Sequence, residues 1–176
     1  MKIFDYDLKQ KTLIMGILNV TPDSFSDGGR FNSTDLAVKH AKKMVEEGAD
    51  IIDIGGESTR PGAKKISQKI ELKRILPVVK KLSKKIDIPI SVDTYKSEVA
   101  RKCLEAGVSM INDITALRGD EKLANIVSKY KVPICLMHMM GTPKDMQKNP
   151  TYSNVIKEIK DFLKNRSAYA IKKGIS

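Results

Sequence analysis

Short apolar runs alternate with longer amphipathic segments along the chain. The apolar runs predict five strands, at residues 12–19, 51–55, 90–93, 110–113 and 134–138, and the segments between them have the apolar spacing of helices. No tight hairpin turn joins one of these strands to the next, so the strands should be parallel and the fold should be of the α/β class. Pro77 lies inside the second predicted helix and is expected to kink or split it.

Each predicted strand changes from apolar to polar where it ends. Asn19, Asp53, Asp93, Asn112 and His138 lie at or near these ends. A single Asp after a strand is commonly a helix cap or a turn former, but five polar strand ends in succession indicate a shared site. Ligands of parallel α/β proteins bind at the carboxyl ends of the strands. No GxGxxG motif follows the first strand, which argues against a dinucleotide-binding domain.

Composition narrows the class of protein further. The 176 residues, of which 41% are hydrophobic, suit one globular domain, and no run is long enough to span a bilayer. From the lack of such a run we expect no membrane partner, and because two cysteines cannot form a disulfide framework we expect a cytoplasmic protein. The net charge of +11 comes from lysines spread along predicted helices, and aromatic residues make up only 5% of the chain. Without interleaved stacking platforms, this charge does not predict a nucleic-acid partner.

Several segments resemble the signatures of a known family. In chain order they read NVTPDSFSDGG, DIGGESTRPGA, SVDTYK, IND and LMHMMGTPKDMQ. They resemble segments of dihydropteroate synthase, the folate-pathway transferase that sulfonamides inhibit. The resemblance implies a (β/α)8 TIM barrel that condenses 6-hydroxymethyl-7,8-dihydropterin diphosphate with p-aminobenzoate. The implied products are 7,8-dihydropteroate and pyrophosphate, and the implied cofactor is Mg²⁺.

The resemblance also implies how the pterin is held. Asp93 matches the family's pterin-binding aspartate and Asn112 its neighbouring amide, while Ile114 and Met137 match apolar walls of the pocket. A buried carboxylate can accept two parallel hydrogen bonds from the ring N–H and exocyclic NH₂ of a pterin, which gives this assignment a physical basis. Asp53 has two open readings, either direct contact with the pterin or support of Asp93 and Asn112.

Two loops and one amide complete the implied site. Asn19 matches the residue that meets the metal and the pyrophosphate, and Mg²⁺ favours such oxygen ligands. The loops after the first two strands resemble those that close over the substrates and form the aminobenzoate pocket. Their implied substrate-binding residues are Phe25, Asp27, Thr59, Arg60 and Pro61, and the implied catalytic set is Asp27, Arg60, Asp93 and Asn112. His138 is expected to order the site rather than to act as a base.

The chain departs from the family in length. Only five βα units can be counted where the barrel needs eight, so residues 1–176 should form a barrel domain truncated after about five units. We therefore expect an N-terminal fragment of a longer enzyme, inactive by itself, whose full-length form is a homodimer.

Two alternatives remain open at the level of sequence. A methyltetrahydrofolate-type methyltransferase domain would share the barrel and the Asp–Asn pair, although the two loop motifs argue against it. A non-catalytic remnant, or a half-barrel binding module, would retain the motifs without turnover.

Overall fold

The structure is a computed structural model that describes residues 2–4, 6–21, 30–58, 65–142, 145–146 and 149–176. Five residues predicted for the site, Phe25, Asp27, Thr59, Arg60 and Pro61, lie outside the described residues.

Seven strands and five helices follow one another along the described parts of the chain. They are β1 (Lys2–Ile3), β2 (Tyr6–Asp7), β3 (Met15–Asn19), α1 (Arg30–Glu46), β4 (Ile51–Gly55), α2 (Gln68–Leu82), β5 (Ile90–Asp93), α3 (Ser97–Glu105), β6 (Met110–Asp113), α4 (Leu123–Tyr130), β7 (Ile134–Leu136) and α5 (Val155–Lys172). From β3 onward, strands and helices alternate, as the apolar pattern predicts.

The main sheet has five parallel strands in the order β3-β4-β5-β6-β7. Each strand pairs with the strand that follows it in the chain, with a helix in every connection. This is the order of successive βα units in a TIM barrel, so the predicted α/β fold of five such units is confirmed. An antiparallel pair, β1 and β2, precedes the sheet and was not predicted.

The hydrophobic core lies between the sheet and the helices. Leu18, Ile54, Val92 and Ile111 have no exposed surface and pack with apolar helix residues such as Ile75. Side chains alternate between the two faces of a strand, so the residues between these positions face the opposite side of the sheet. We call that side the inner face.

Local sequence explains where the helices begin and end. The Ser67 hydroxyl caps α2 by accepting a hydrogen bond from the Ile70 amide (3.3 Å). Gly48, which follows α1, has a φ of +104°, a conformation that strongly favours glycine. The predicted split at Pro77 is wrong, because α2 is one helix that contains this residue, while the alternative of a kink stays a prediction. Pro77 is exposed, so water can bind the carbonyl that its missing N–H leaves without a helical partner.

Two predicted strands are longer than the observed ones. The first begins at Met15 rather than residue 12, and the fifth ends at Leu136 rather than residue 138. Both are edge strands of the five-stranded sheet, so each has one neighbour to set its length. Met15 pairs with Ile51, the first residue of β4, and Leu136 pairs with Asp113, the last residue of β6.

Within the described residues, none of the helices is both long enough and apolar enough to cross a membrane.

Candidate active site

Five residues lie side by side across the carboxyl end of the sheet. Asn19 pairs with Gly55, Gly55 with Asp93, Asp93 with Asn112 and Asn112 with Cys135. Neighbouring strands lie about 4.8 Å apart, so their side chains on the inner face converge on one region. The predicted convergence is therefore confirmed for Asn19, Asp93 and Asn112, whereas His138 lies two residues beyond the end of β7 and outside this row.

A second row of inner-face residues lies two positions earlier in the strands. Asp53 pairs with Ser91, and its carboxylate Oδ2 accepts a hydrogen bond from the Asn112 Nδ2 (2.9 Å). The side chain of Asp53 is 2% exposed, and its other oxygen, Oδ1, has no hydrogen-bond partner among the described residues. The same is true of the buried Ser91 hydroxyl. Buried polar atoms without a partner are rare, so this cluster has capacity for a ligand.

The electrostatics of the cluster favour a ligand that donates hydrogen bonds. Burial, together with the nearby carboxylates, of which Asp53 has the largest effect, raises the pKa of Asp93 to about 7. Burial also raises the pKa of Asp53, against the effects of the neighbouring Ser91 hydroxyl and of the Asn112 amide. N–H donors from a ligand would stabilise both ionised carboxylates.

Gly55 leaves space between Asn19 and Asp93. A Cβ atom at Gly55 would lie 3.3 Å from Asn19 Oδ1 and 4.0 Å from Asp93 Oδ2. The amide oxygen of Asn19 therefore faces the same space as the Asp93 carboxylate. Among the described residues, no group of three or more His, Cys, Asp or Glu side chains could hold a metal ion. A single amide oxygen suits Mg²⁺, which keeps several waters and binds substrate phosphates.

The loop after β6 is held in a fixed shape beside Asn112. The fully buried Asp113 carboxylate accepts hydrogen bonds from the Thr115 amide and hydroxyl (both 2.7 Å) and from the Leu117 amide (2.6 Å). Ile114, a predicted pocket wall, is 7% exposed in this loop. Met137, the other predicted wall, is half-buried, and its amide donates to the Asp113 carbonyl (3.4 Å).

His138 packs between aromatic rings. Its imidazole lies edge-on to Phe162 of α5, with 4.9 Å between the ring centroids, and 5.9 Å from the Tyr152 ring. These contacts tie the end of β7 to the segment that leads into α5. Its predicted ordering role is compatible with this packing and stays a prediction.

Sequence reasoning missed two inner-face residues, Ser91 and Cys135. Ser91 is two residues before Asp93, and Cys135 is in register with Asn112. The alternation of side chains along ISVD places Ser91 and Asp93 on one face, so this signal was available in the sequence. Cys135 keeps exposed surface, while the protein around its sulfur and the nearby carboxylates, Asp53 foremost, raise the pKa of the thiol.

Residues 15–176 match the family of pterin binding enzymes. The match covers nearly the whole chain and all five parallel strands, and the chain belongs to this family.

Individual relatives within the family are dihydropteroate synthases. The enzyme of Clostridium beijerinckii is 48% identical over 160 residues, which cover 91% of this chain and 57% of that protein. The crystal structure of the Clostridium difficile enzyme, determined in the presence of pteroic acid, has a TM-score of 0.88 and 49% identity over 99% of this chain and 63% of that one. The crystal structure of the Xanthomonas albilineans enzyme with 4-aminobenzoic acid has a TM-score of 0.85 and 46% identity. The match covers 93% of this chain and 57% of that one. This chain therefore spans somewhat more than half the length of these relatives.

Proposed function

We propose that this protein, in its full-length form, is a dihydropteroate synthase of folate biosynthesis. Its substrates are 6-hydroxymethyl-7,8-dihydropterin diphosphate and p-aminobenzoate, and its products are 7,8-dihydropteroate and pyrophosphate. The observation that carries the proposal is the buried Asp53–Asp93–Asn112 cluster at the carboxyl end of the sheet, in a chain of the pterin binding family.

The cluster matches the hydrogen-bonding edge of a pterin. The Asp93 carboxylate can accept from the ring N–H and the exocyclic NH₂ together. The Asp53 Oδ1, which has no hydrogen-bond partner among the described residues, can accept a further donor. Asp53 would then have both of the roles that the sequence left open. Its Oδ2 supports Asn112, and its Oδ1 can accept a hydrogen bond from the pterin. Relatives with pteroic acid and 4-aminobenzoic acid support the same two ligand classes.

The reaction needs positioning and stabilisation of charge. The amine nitrogen of p-aminobenzoate forms a bond to the methylene carbon of the pterin as the bond from that carbon to the diphosphate oxygen breaks. The diphosphate leaves with the bonding electrons, and the amine loses a proton. Asp93, Asp53 and Asn112 hold the ring so that the methylene is presented to the amine. Asp27 and Arg60 are proposed to act on the aminobenzoate side.

Mg²⁺ is proposed to neutralise charge on the diphosphate when it is bound. Asn19 is the residue that would hold it, through the amide oxygen that faces Gly55. Asn19→Ala should weaken binding of the pterin diphosphate by about tenfold or more. It should leave binding of the pterin alcohol, which lacks the diphosphate, nearly unchanged. Equal losses for both ligands in titration calorimetry would remove Asn19 from the diphosphate site.

Product formation by the protein as its own cells make it tests the proposal. The two substrates should give dihydropteroate and pyrophosphate in equal amounts, and a sulfonamide should compete with p-aminobenzoate. Arg60→Ala should raise the KM for p-aminobenzoate more than the KM for the pterin. A methyltransferase domain would instead ignore the sulfonamide and transfer a methyl group, and a non-catalytic remnant would form no product. Either result would overturn the proposal.

We propose further that the full-length form is a homodimer in the cytoplasm. Light scattering that gives the mass of a single subunit at micromolar concentration would refute the dimer. Recovery of the protein in a membrane or secreted fraction would refute the location.

A further inference from the structure

One ammonium group lies between two carboxylates just beyond the carboxyl ends of β4 and β5. Lys96 Nζ contacts both Glu57 Oε2 and Glu71 Oε2. We call these three residues the Lys96 cluster. Its side chains are 13%, 12% and 1% exposed, respectively. The cluster joins three separate parts of the fold, because Glu57 follows β4, Glu71 belongs to α2 and Lys96 lies between β5 and α3.

The Lys96 cluster fastens the two chain segments that lead away from the candidate site at Asp93. Gly55 and Asp93 are the last residues of β4 and β5, and they are in register. Glu57 comes two residues after the first of these, and Lys96 comes three residues after the second. Their ion pair therefore joins the two segments directly beyond the sheet. The Tyr95 hydroxyl joins them a second time, because it donates a hydrogen bond to Glu57 Oε1 (3.4 Å).

Helix α2 holds the end of β4 from the helix side of the sheet. Arg74 Nη1 donates a hydrogen bond to the Gly56 carbonyl (2.8 Å). A Cβ atom at Gly56 would lie 3.2 Å from Glu71 Cγ, so this backbone lies directly against the helix. On the inner face, a Cβ atom at Gly55 would lie 3.9 Å from Asp93 Cβ. The Gly55–Gly56 backbone, which carries no side chain, thus lies between Asp93 and α2.

Thr94 supports the same junction from the side of β6. Its amide, next to Asp93, donates a hydrogen bond to the Asn112 carbonyl (3.0 Å), which continues the pairing of β5 with β6 by one residue. Its hydroxyl accepts a hydrogen bond from the Lys96 amide (3.2 Å) and so shapes the turn that directs this lysine toward Glu57. The backbone around Asp93 is therefore held from β4, from β6 and through the Lys96 cluster.

The Lys96 cluster also acts on Asp93 through its charge. Burial alone would lower the pKa of the Lys96 ammonium, but Glu57 and Glu71 raise it above the ordinary value, so one cation faces two carboxylates. Burial and four carboxylates raise the pKa of Asp93, and two of the four belong to the cluster. The titratable side chains that act on Asp93, from β4 and the residues after it, α2, β6 and β7, are Asp53, Glu57, Glu71, Asp113 and Cys135.

We infer that Lys96 is a positioning residue for Asp93, and that it acts through its ion pairs with Glu57 and Glu71. Directional contacts between charges fix the relative position of the parts that carry them, here the ends of β4 and β5 and helix α2. Stability alone is a weak reason for such a cluster, because apolar residues of similar volume commonly stabilise a fold as well as a buried ion pair does. The inference rests on the proposed function, since that function assigns the pterin to Asp93.

Titration calorimetry of the full-length protein with the pterin alcohol tests the positioning. In the pH range where the affinity has levelled off, Lys96→Met should weaken pterin binding by about tenfold, a loss like that seen when a group that orients a metal ligand is removed. Lys96→Arg keeps a cation whose several N–H groups can contact both carboxylates, so its affinity should lie within about threefold of the wild type.

Glu71→Gln gives a readout that a merely structural role would not change. It removes one of the carboxylates that raise the pKa of Asp93, while its amide oxygen can still accept a hydrogen bond from the Lys96 ammonium. The pKa of Asp93 should therefore fall. Pterin affinity should then level off at a lower pH than in the wild type, and the ratio of the dissociation constants at pH 6 and pH 8 should be smaller.

Lys102→Met and Glu47→Gln are the matched controls. Lys102 contacts Glu105 in an exposed ion pair of 3.6 Å on α3. Glu47 is exposed and lies before the start of β4, at the end of the sheet opposite to Asp93. Neither change should alter the affinity or its pH dependence.

The outcomes separate this inference from the proposed function. Wild-type affinity in Lys96→Met would overturn the inference, as would a pH dependence of Glu71→Gln equal to that of the wild type. If Lys96→Met does not fold, Glu57→Gln takes its place, because it removes one of the two ion pairs and keeps the lysine. A wild-type protein that does not bind the pterin would instead refute the proposed function.

Discussion

Asp93 is a carboxylate whose surroundings favour its neutral form. With a pKa of about 7, raised by burial and by the carboxylates around it, it is largely protonated at pH 6 in the free protein. A protonated carboxyl cannot accept both hydrogen bonds of the pterin edge, so binding must release this proton. Binding of the pterin is therefore linked to pH.

Pterin affinity should rise with pH. Below pH 7, the dissociation constant of the pterin should fall by about tenfold for each unit by which the pH is raised. Each such unit increases the ionised fraction of Asp93 by about tenfold. Above about pH 8 the affinity should level off, since Asp93 is then ionised before binding. Titration calorimetry of the pterin between pH 5 and 8.5, in buffers that differ in ionisation enthalpy, measures both the affinity and the released proton. An affinity that does not change over this range would contradict the assignment of Asp93.

Asp93→Asn is the variant that isolates this carboxylate. It should weaken pterin binding at pH 8 by about 1.5–3 kcal/mol, because a charge-assisted pair is replaced by incomplete pairing. It should also abolish the pH dependence below 7. A variant that binds as tightly as the wild type would remove Asp93 from the pocket.

The sequence reveals some of the site residues and hides others. Asn19, Asp93 and Asn112 can be predicted because each ends an apolar strand, and parallel strands bring their ends together. Lys96, whose ammonium contacts Glu57 and Glu71, could not be predicted to form these ion pairs. Its partners Glu57 and Glu71 lie 39 and 25 residues away in the chain, so no local pattern links the three.

The loop after β6 has an unfavourable backbone conformation that hydrogen bonds from other parts of the fold stabilise. Ala116 and Leu117 have φ values of +51° and +62°. This left-handed backbone conformation is unfavourable for residues other than glycine. Inside the loop, the Asp113 carboxylate accepts hydrogen bonds from the Thr115 and Leu117 amides. From outside, Arg166 of α5 donates to the Ala116 carbonyl through Nε (2.7 Å) and to the Leu117 carbonyl through Nη2 (3.1 Å). Helix α5 thereby supports the loop that carries Ile114.

Arg166→Ala should destabilise the fold and loosen this loop. We expect a loss of about 1–3 kcal/mol in the free energy of unfolding, because two hydrogen bonds from a charged group to backbone carbonyls are removed. Pterin affinity should fall as well, since the loop begins next to Asn112. Urea denaturation and pterin titration measure the two effects.

Lys164→Ala is the control for Arg166→Ala. Lys164 lies two residues earlier in the same helix and is exposed, so its replacement should change the free energy of unfolding by less than about 0.5 kcal/mol. Similar losses for the two variants would mean that Arg166 does not support the loop.

How well the bounds of a strand can be predicted from the sequence depends on how many neighbouring strands it has. The bounds of β4, β5 and β6 agree with the predicted strands, because these strands have neighbours on both sides and a continuous apolar run. The start of β3 and the end of β7 differ from the predicted bounds, because the single neighbour of an edge strand determines where the pairing stops. The strands β1 and β2 have two residues each, which is too short for any periodicity to predict.

At the scale of the molecule, the inner face of the sheet is partly uncovered. Ile17, which pairs with Asp53 and alternates with Leu18, is 55% exposed. The helix side of the same strand, represented by Leu18, is fully buried. Exposed apolar side chains beside an unpaired strand edge favour association with other apolar surfaces.

The 176-residue chain, made by itself, should therefore bind an anionic hydrophobic dye. Ile17→Thr should lower the dye fluorescence markedly, because threonine retains the β-branched shape that suits a strand while adding a polar hydroxyl. Ile156→Thr is the control, since Ile156 is 65% exposed but belongs to helix α5 rather than to the sheet. Equal decreases for the two variants would mean that the dye reports scattered surface residues. No dye binding by the unmodified chain would mean that the inner face is covered in solution, by a second copy if light scattering gives twice the mass of 19.6 kDa.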